Sequence, residues 1–287
     1  MFKAAYHLHA PKRRETSVVF ASPHSSRDYP PSFLALAQPD ALAMRSSEDA
    51  FVDLLFEAAP DHGAPLLLGG TPRAFVDLNR SADELDPALI EGARHSGHNP
   101  RIASGLGVIP RVVAGGRAIY GGKMAMAEAC GRIDRYWRPY HAALDAEMQH
   151  AHRAFGSAIL IDCHSMPNEA LDGAARGGAR RVDVVLGDRF GASASREITE
   201  RIEAAFMRAG LSVARNTPFA GAYITQTYGR PPRGRHAVQV EINRALYMDE
   251  RSVTPNADFD AFQRLMSGVI ADLAEIGRPA RMPLAAE

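Results

Sequence analysis

Ala158-Ile159-Leu160-Ile161 is an unbroken apolar run that ends abruptly in Asp162-Cys163-His164-Ser165. A continuous run of this kind, rich in branched residues, fits a strand buried on both faces, as in a parallel sheet covered by helices. Similar runs lie on either side of it. Upstream, Ser17-Val18-Val19-Phe20-Ala21 stops at Pro23, and Pro65-Leu66-Leu67-Leu68 and Ala74-Phe75-Val76 flank the turn Gly69-Gly70-Thr71-Pro72. Val108-Ile109-Pro110-Arg111-Val112-Val113 reads as an edge strand, because proline cannot donate to a ladder. Downstream come Asp183-Val184-Val185-Leu186, residues 211–214 and Ala237-Val238-Gln239-Val240-Glu241-Ile242. Helical spacing predicts helices over 48–59, over 123–155 with an interruption at Pro139, over 193–209 with Gly210 as the stop, and over 259–276. Strands interleaved with helices predict a three-layer α/β/α domain with a central, mostly parallel or mixed sheet. Ligands in such sheets gather at the carboxyl ends of strands.

The chain has 287 residues, 46% hydrophobic and 23% charged, a balance that excludes a disordered or fibrous protein. We expect one domain over 15–277 with terminal extensions at 1–14 and 278–287, both poorly anchored. Lys plus Arg and Asp plus Glu both number 33, so the formal charge is zero. This argues against nucleic acid or an anionic membrane as the partner. No apolar run reaches the ~18 residues of a membrane span, and residues 1–14 lack the apolar stretch of a secretory signal. With Cys130 and Cys163 alone, a reduced cytoplasmic setting is expected.

Two histidines follow buried strands directly: His24 after the 17–21 run and His164 after the 158–161 run. Each is either a capped loop residue or a metal ligand held on a rigid element. A catalytic zinc site takes three protein ligands, and Glu48-Asp49 is the nearest acidic source after His24, unless the pair simply opens a helix. Glu241 stands inside an apolar strand, where a carboxylate is costly unless it is paired, metal-bound or shifted in pKa. Period-two alternation sets Gln239, Glu241 and Asn243 on one face. A solvent-facing edge or an ion pair with Arg244 is the plainer alternative. Asp77-Leu78-Asn79-Arg80 could fork a carboxylate or merely stabilise a loop.

Other chemistries lack their parts. Gly121-Gly122-Lys123 is followed by Met124, and Arg117 stands where a phosphate loop needs its first glycine. No Gly-x-Ser-x-Gly elbow and no His-Glu-x-x-His pair occur. Cys163 and His164 should point to opposite faces of their strand. His95 and His98 fit a solvated pair, His7 and His9 fit tail residues, and the Arg/Gly stretches at 175–181 and 229–235 fit solvent-facing connections.

Taken in order, Ser22-Pro23-His24-Ser25, Asp49-Ala50-Phe51-Val52-Asp53, Asp77-Leu78-Asn79-Arg80, Asp162-Cys163-His164-Ser165, Gly221-Ala222-Tyr223-Ile224-Thr225, Tyr228-Gly229-Arg230-Pro231 and Gln239-Val240-Glu241-Ile242-Asn243-Arg244 resemble the N-formylglutamate amidohydrolase family. The likeness runs from about residue 18 to 275. The Asp-Leu-Asn-Arg segment is also similar to that of the aspartoacylases. The resemblance implies a zinc carboxypeptidase-like α/β/α fold. It implies zinc on His24, His164 and an acidic third ligand, Asp49 with Glu48 as the alternative, and Glu241 as general base. It implies hydrolysis of N-formyl-L-glutamate, a small anionic N-acyl amino acid, to formate and glutamate, and a place in histidine degradation. Arg73 is the expected cation for the tetrahedral oxyanion, and Asn79, Arg80 and Thr225 the expected substrate contacts. Three positions depart from the family pattern: Arg27 replaces a Glu, Ala222 a Gly, and Gln226 a charged residue. Another N-acyl amino acid amidase or carboxypeptidase-like enzyme, or a non-catalytic binding relative, would share most of these residues.

Overall fold

Val18 and Phe20 pack on one side of the sheet and Val19 and Ala21 on the other, all fully buried. That two-sided burial explains why the run is continuously apolar. The computed structural model describes residues 4–94, 99–172 and 181–279. His95, His98 and the 175–180 part of the Arg/Gly stretch lie outside the described residues. The central sheet has seven strands: β1 (Tyr6–His9), β2 (Val18–Ser22), β3 (Leu66–Gly69), β4 (Ala158–Met166), β5 (Val184–Gly187), β6 (Val213–Arg215) and β7 (Arg235–Asn243). Their order is β1-β3-β2-β4-β7-β5-β6. Strands β3, β2, β4 and β7 run parallel, β1 and β5 pair antiparallel to their inner neighbours, and β6 follows β5 in parallel, so the sheet is mixed, as expected.

One face is covered by α2 (Arg196–Arg208) and α4 (Phe259–Ile276), through Ile202, Phe206, Met266 and Ile270. The other is covered by α1 (Arg138–Phe155), through Tyr140, Leu144 and Met148. Each such side chain contributes roughly 1.5–3 kcal/mol by leaving water. After β2 the chain turns toward β3, while after β4 it continues toward the β7 side of the sheet. The loops that follow β2 and β4 therefore diverge and leave a crevice at their carboxyl ends.

Several expected elements take another form. The helix over 48–59 shrinks to Val52–Leu55, because Phe51 is left-handed (φ 66°) and the Asp49 N–H bonds the His24 carbonyl at 3.0 Å. Ala74-Phe75-Val76 is a turn rather than a strand: the Phe75 and Val76 N–H groups both return to the Pro72 carbonyl. Only Val112–Val113 of the 108–113 run is a strand, and it pairs with Arg117–Ala118 in a separate hairpin. The 123–155 stretch does not break at Pro139. Met126–Arg132 passes through a π-helical turn at Ile133–Trp137 into α1, and Pro139 sits at the first turn of α1, where its missing N–H is tolerated. The N-terminal segment is anchored after all, since β1 pairs antiparallel with β3 and puts His7 and His9 on an exposed edge strand. No helix among the described residues is long and apolar enough to cross a membrane.

Gly69, the last residue of β3, meets both the β2 loop and the 77–80 segment. A Cβ there would lie 2.5 Å from the Pro23 carbonyl oxygen and 2.9 Å from Leu78 Cδ1. Gly69→Ala must therefore displace backbone next to His24. We expect a loss of about 1–3 kcal/mol, read as a lower urea midpoint with an unchanged slope. An unshifted midpoint would show that this contact yields freely.

Candidate active site

His24 leaves the end of β2, His164 lies near the end of β4, and Asp49 is brought between them by its backbone bond to His24. One ligand atom from each of the three lies within 4.8 Å of the others, and all three residues are buried. Both imidazoles turn Nδ1 toward the same oxygen, Asp49 Oδ2, at 3.4 Å from His24 and 2.8 Å from His164. Their Nε2 atoms face other carboxylates. His24 Nε2 is 2.8 Å from Asp77 Oδ1, and His164 Nε2 is 3.0 Å from Asp162 Oδ1 and 3.3 Å from Asn79 Nδ2.

This arrangement tests whether the residues fit a metal ion. Donation from His24 Nε2–H to Asp77 leaves the neutral ring's lone pair on Nδ1. Nδ1 is buried and has no hydrogen-bond partner among the described residues. A lone pair aimed at a carboxylate oxygen is repulsive unless a cation lies between them. Two imidazole nitrogens and one carboxylate oxygen, with Asp77 holding the far nitrogen of His24 and Asp162 lying 3.0 Å from the far nitrogen of His164, form a donor set suited to zinc. The electrostatics agree. Burial opposes ionisation of Asp49, but His164 and His24 outweigh it and hold its pKa well below the usual carboxylate range. Burial likewise opposes charge on His164, but Asp162 and Asp49 raise its pKa well above the ordinary value. Asp77 is also buried yet held well below its usual range by Arg73, Arg80 and His24. The site is built to hold positive charge.

Glu48 does not face the two histidines. Its carboxylate turns away to Arg45 Nε, 3.2 Å from both oxygens, and burial raises its pKa. The left-handed Phe51 and the short helix that follows leave Asp49, not Glu48, facing the histidines.

Glu241 pairs with His164 in the parallel register of β4 and β7, so both side chains rise from the same face. β7 is an interior strand, which removes the edge-strand alternative. Arg244 is not its ion-pair partner either. Arg244 Nη2 holds Asp49 Oδ1 at 3.1 Å and the Glu48 carbonyl at 2.7 Å, while its Nε donates to Ser165 Oγ. Gln239 donates to Glu241 Oε1 at 2.7 Å. Burial, reinforced by Asp49 and opposed by His164, Arg73 and Arg244, pushes the Glu241 carboxyl up to about 7. A carboxylate in that range can take and return a proton near neutrality.

A cleft of about 650 Å³ opens over these groups and is lined by His24, Asp49, His164, Glu241, Arg73, Asn79, Arg80, Arg101 and Arg244 among others. Arg73 is partly exposed and donates to Asp77 Oδ2 at 3.0 Å. Asn79 is committed at both ends of its amide: its oxygen accepts from the Ile224 N–H at 2.8 Å and its nitrogen faces His164. Arg80 donates Nε to the Leu106 carbonyl and Nη1 to the Asn79 carbonyl. Thr225 is placed differently from the expectation. It is fully buried outside the cleft lining, and its hydroxyl donates to the Ala222 carbonyl, because a threonine in the first turn of helix α3 (Tyr223–Tyr228) bonds back to its own backbone. Sequence reasoning does not place Asp77, Asp162 or Arg244 beside the histidines and Asp49. Period-two alternation, which puts Asp162 on the same face as His164, was the available signal for one of them.

The chain is similar to known proteins along most of its length. A model of the N-formylglutamate amidohydrolase family matches residues 16–248. A protein named N-formylglutamate deformylase from Pseudomonas aeruginosa is 31% identical over 249 residues, 84% of this chain and 85% of that protein. Another of the same name from Pseudomonas putida is 31% identical over 208 residues, 70% of this chain and 71% of that protein. The crystal structure of N-formylglutamate amidohydrolase from Ralstonia eutropha JMP134 superposes with a TM-score of 0.88 at 35% identity, covering 95% of this chain and 98% of the other. With the family model spanning most of the sequence and relatives above 30% identity along most of their length, the chain belongs to the N-formylglutamate amidohydrolase family.

Proposed function

We propose that this protein hydrolyses the formyl amide of N-formyl-L-glutamate, giving formate and L-glutamate, with zinc held by His24, Asp49 and His164. The observation that carries the reading is the convergence of those three ligands within 4.8 Å in a cleft that Glu241 also lines. The names of the relatives support the substrate, and that substrate would place the reaction in histidine degradation. A divalent ion in this position supplies Lewis acidity, which makes water more acidic and polarises a carbonyl.

The side chains then divide the remaining work. Glu241 accepts a proton from the attacking water as the water oxygen bonds to the formyl carbon. It returns that proton to the amide nitrogen as the C–N bond breaks, so that the amine departs neutral. Gln239 fixes the Glu241 carboxylate by its 2.7 Å bond. Arg73, held by Asp77, stands at the cleft as a preorganised cation for the developing oxyanion. Asp77 orients the His24 imidazole, Asp162 sets a negative charge 3.0 Å from His164 Nε2, and Arg244 orients Asp49. Asn79 acts on the substrate side by positioning His164 and the Ile224 backbone as well as by lining the cleft. A cytoplasmic setting is supported by two free thiols, Cys130 and Cys163.

Arg80 is the fork for a substrate carboxylate. Arg80→Lys keeps the charge but loses the planar fork. We expect kcat/KM for N-formylglutamate to fall about tenfold, chiefly through KM. Unchanged kinetics would remove Arg80 from that role. A panel of N-formyl and N-acetyl amino acids tests the substrate itself: the formyl compound of glutamate should be cleaved best, and a preference for acetyl compounds would move the assignment to another N-acyl amino acid.

A further inference from the structure

Four arginines, Arg73, Arg80, Arg101 and Arg244, line the cleft against three carboxylates, Asp49, Asp77 and Glu241. Arg73 pairs with Asp77, and Arg244 pairs with Asp49. Arg80 has no carboxylate of its own, its nearest being Asp77 Oδ2 at 4.0 Å, already taken by Arg73. Arg101 has no ion pair or side-chain hydrogen bond among the described residues, although it lines the same cleft.

Arg80 and Arg101 are joined through one residue. The Leu106 carbonyl accepts from Arg80 Nε at 3.0 Å, and the Leu106 N–H donates to the Arg101 carbonyl at 2.8 Å. The turn bearing Arg101 is itself pinned. The Asn99 side chain accepts from the Arg101 N–H at 2.9 Å, and Arg111, anchored on Asp86, reaches the Ala103 carbonyl. Burial does most to disfavour charge on Arg80, Asp77 opposes it, and Arg73 and Arg101 add to it, so Arg80 feels the charge of Arg101 across the cleft wall. Two guanidiniums that line one concave site raise the local concentration of anions and gain most from a ligand with two negative groups.

We propose that Arg101 is a specificity-determining residue that receives the second carboxylate of the substrate, so that Arg80 and Arg101 together select N-formyl dicarboxylic amino acids over neutral ones. This inference rests on the amidohydrolase reading above and adds to it the residue that reads the side chain. N-formyl-L-glutamine is the matched probe, having nearly the shape of N-formyl-L-glutamate without its side-chain charge.

The test is the ratio of kcat/KM for the two compounds in the wild type, Arg101→Gln and Arg101→Lys. The wild type should favour the glutamate compound by at least about tenfold. In Arg101→Gln that ratio should fall about tenfold, mainly through KM for the glutamate compound, and Arg101→Lys should retain an intermediate ratio. Because Arg101 is exposed, its replacement leaves the core untouched. A wild-type ratio near one, or a ratio that Arg101→Gln leaves unchanged while formate is still released, would overturn the inference and leave the amidohydrolase reading standing. Release of formate from neither compound by the wild type would overturn both.

Discussion

Glu241→Gln is expected to lower kcat by about 10²–10⁴-fold, the usual worth of a positioned general base. The substitution keeps the size and shape of the side chain and replaces only the oxygen that takes the proton. The wild-type carboxyl is poised by burial at about 7. The amide of glutamine cannot accept a proton near neutrality, so water loses its base and the leaving amine its proton donor. Metal content should stay at the wild-type level, because His24, Asp49 and His164 are untouched. The fall should appear in kcat and kcat/KM alike, as for an interaction made in the transition state. Steady-state kinetics beside elemental analysis checks both halves. Turnover at the wild-type rate would remove Glu241 from the chemistry, and loss of the metal would make it a ligand instead.

Asp49→Asn should have a comparably large effect by a different route. Asp49 accepts from Arg244 on one oxygen and presents the other to both imidazoles. Asparagine removes the negative charge from the centre of the cluster and leaves the buried Arg244 without its carboxylate. Loss of a group that orients a ligand costs about 10–100-fold in metal affinity, so on the proposed metal site loss of Asp49 itself should cost at least about 100-fold. Activity should fall in step, and added zinc should restore it only in part. Glu48→Gln is the matched control: Glu48 faces Arg45 and not the cluster, so metal content should be retained. Retention of a full complement of metal by Asp49→Asn, with loss in Glu48→Gln, would reverse the assignment.

How far the sequence led depended on whether a feature was local. β4 and β7 were legible as apolar runs because both of their faces are buried. His24 and His164 were legible as residues following such runs, and Glu241 as a carboxylate that an apolar strand does not tolerate without cause. The choice between Asp49 and Glu48 was not legible. It turns on the left-handed Phe51 and on one backbone bond to His24, neither of which leaves a mark in spacing. Ala74-Phe75-Val76 departs from its β propensity for a related reason: Ala74 and Val76 are buried in a turn fixed by the Pro72 carbonyl, so tertiary packing overrides propensity. Arg244 beside Asp49 joins residues 195 positions apart, a contact that only the folded sheet creates. Thr225 was misplaced because a short motif does not reveal which way a first-turn hydroxyl turns.

On the proposed reading, one metal ion on His24, Asp49 and His164 serves hydrolysis of a formyl amide. The most direct test follows formate release from N-formyl-L-glutamate while the metal is removed by a chelator and then returned as zinc. We predict formate and glutamate in equal amounts from the purified protein, loss of release on stripping, and recovery on adding zinc. Undiminished release from protein shown by elemental analysis to be metal-free would rule out a metal in this hydrolysis.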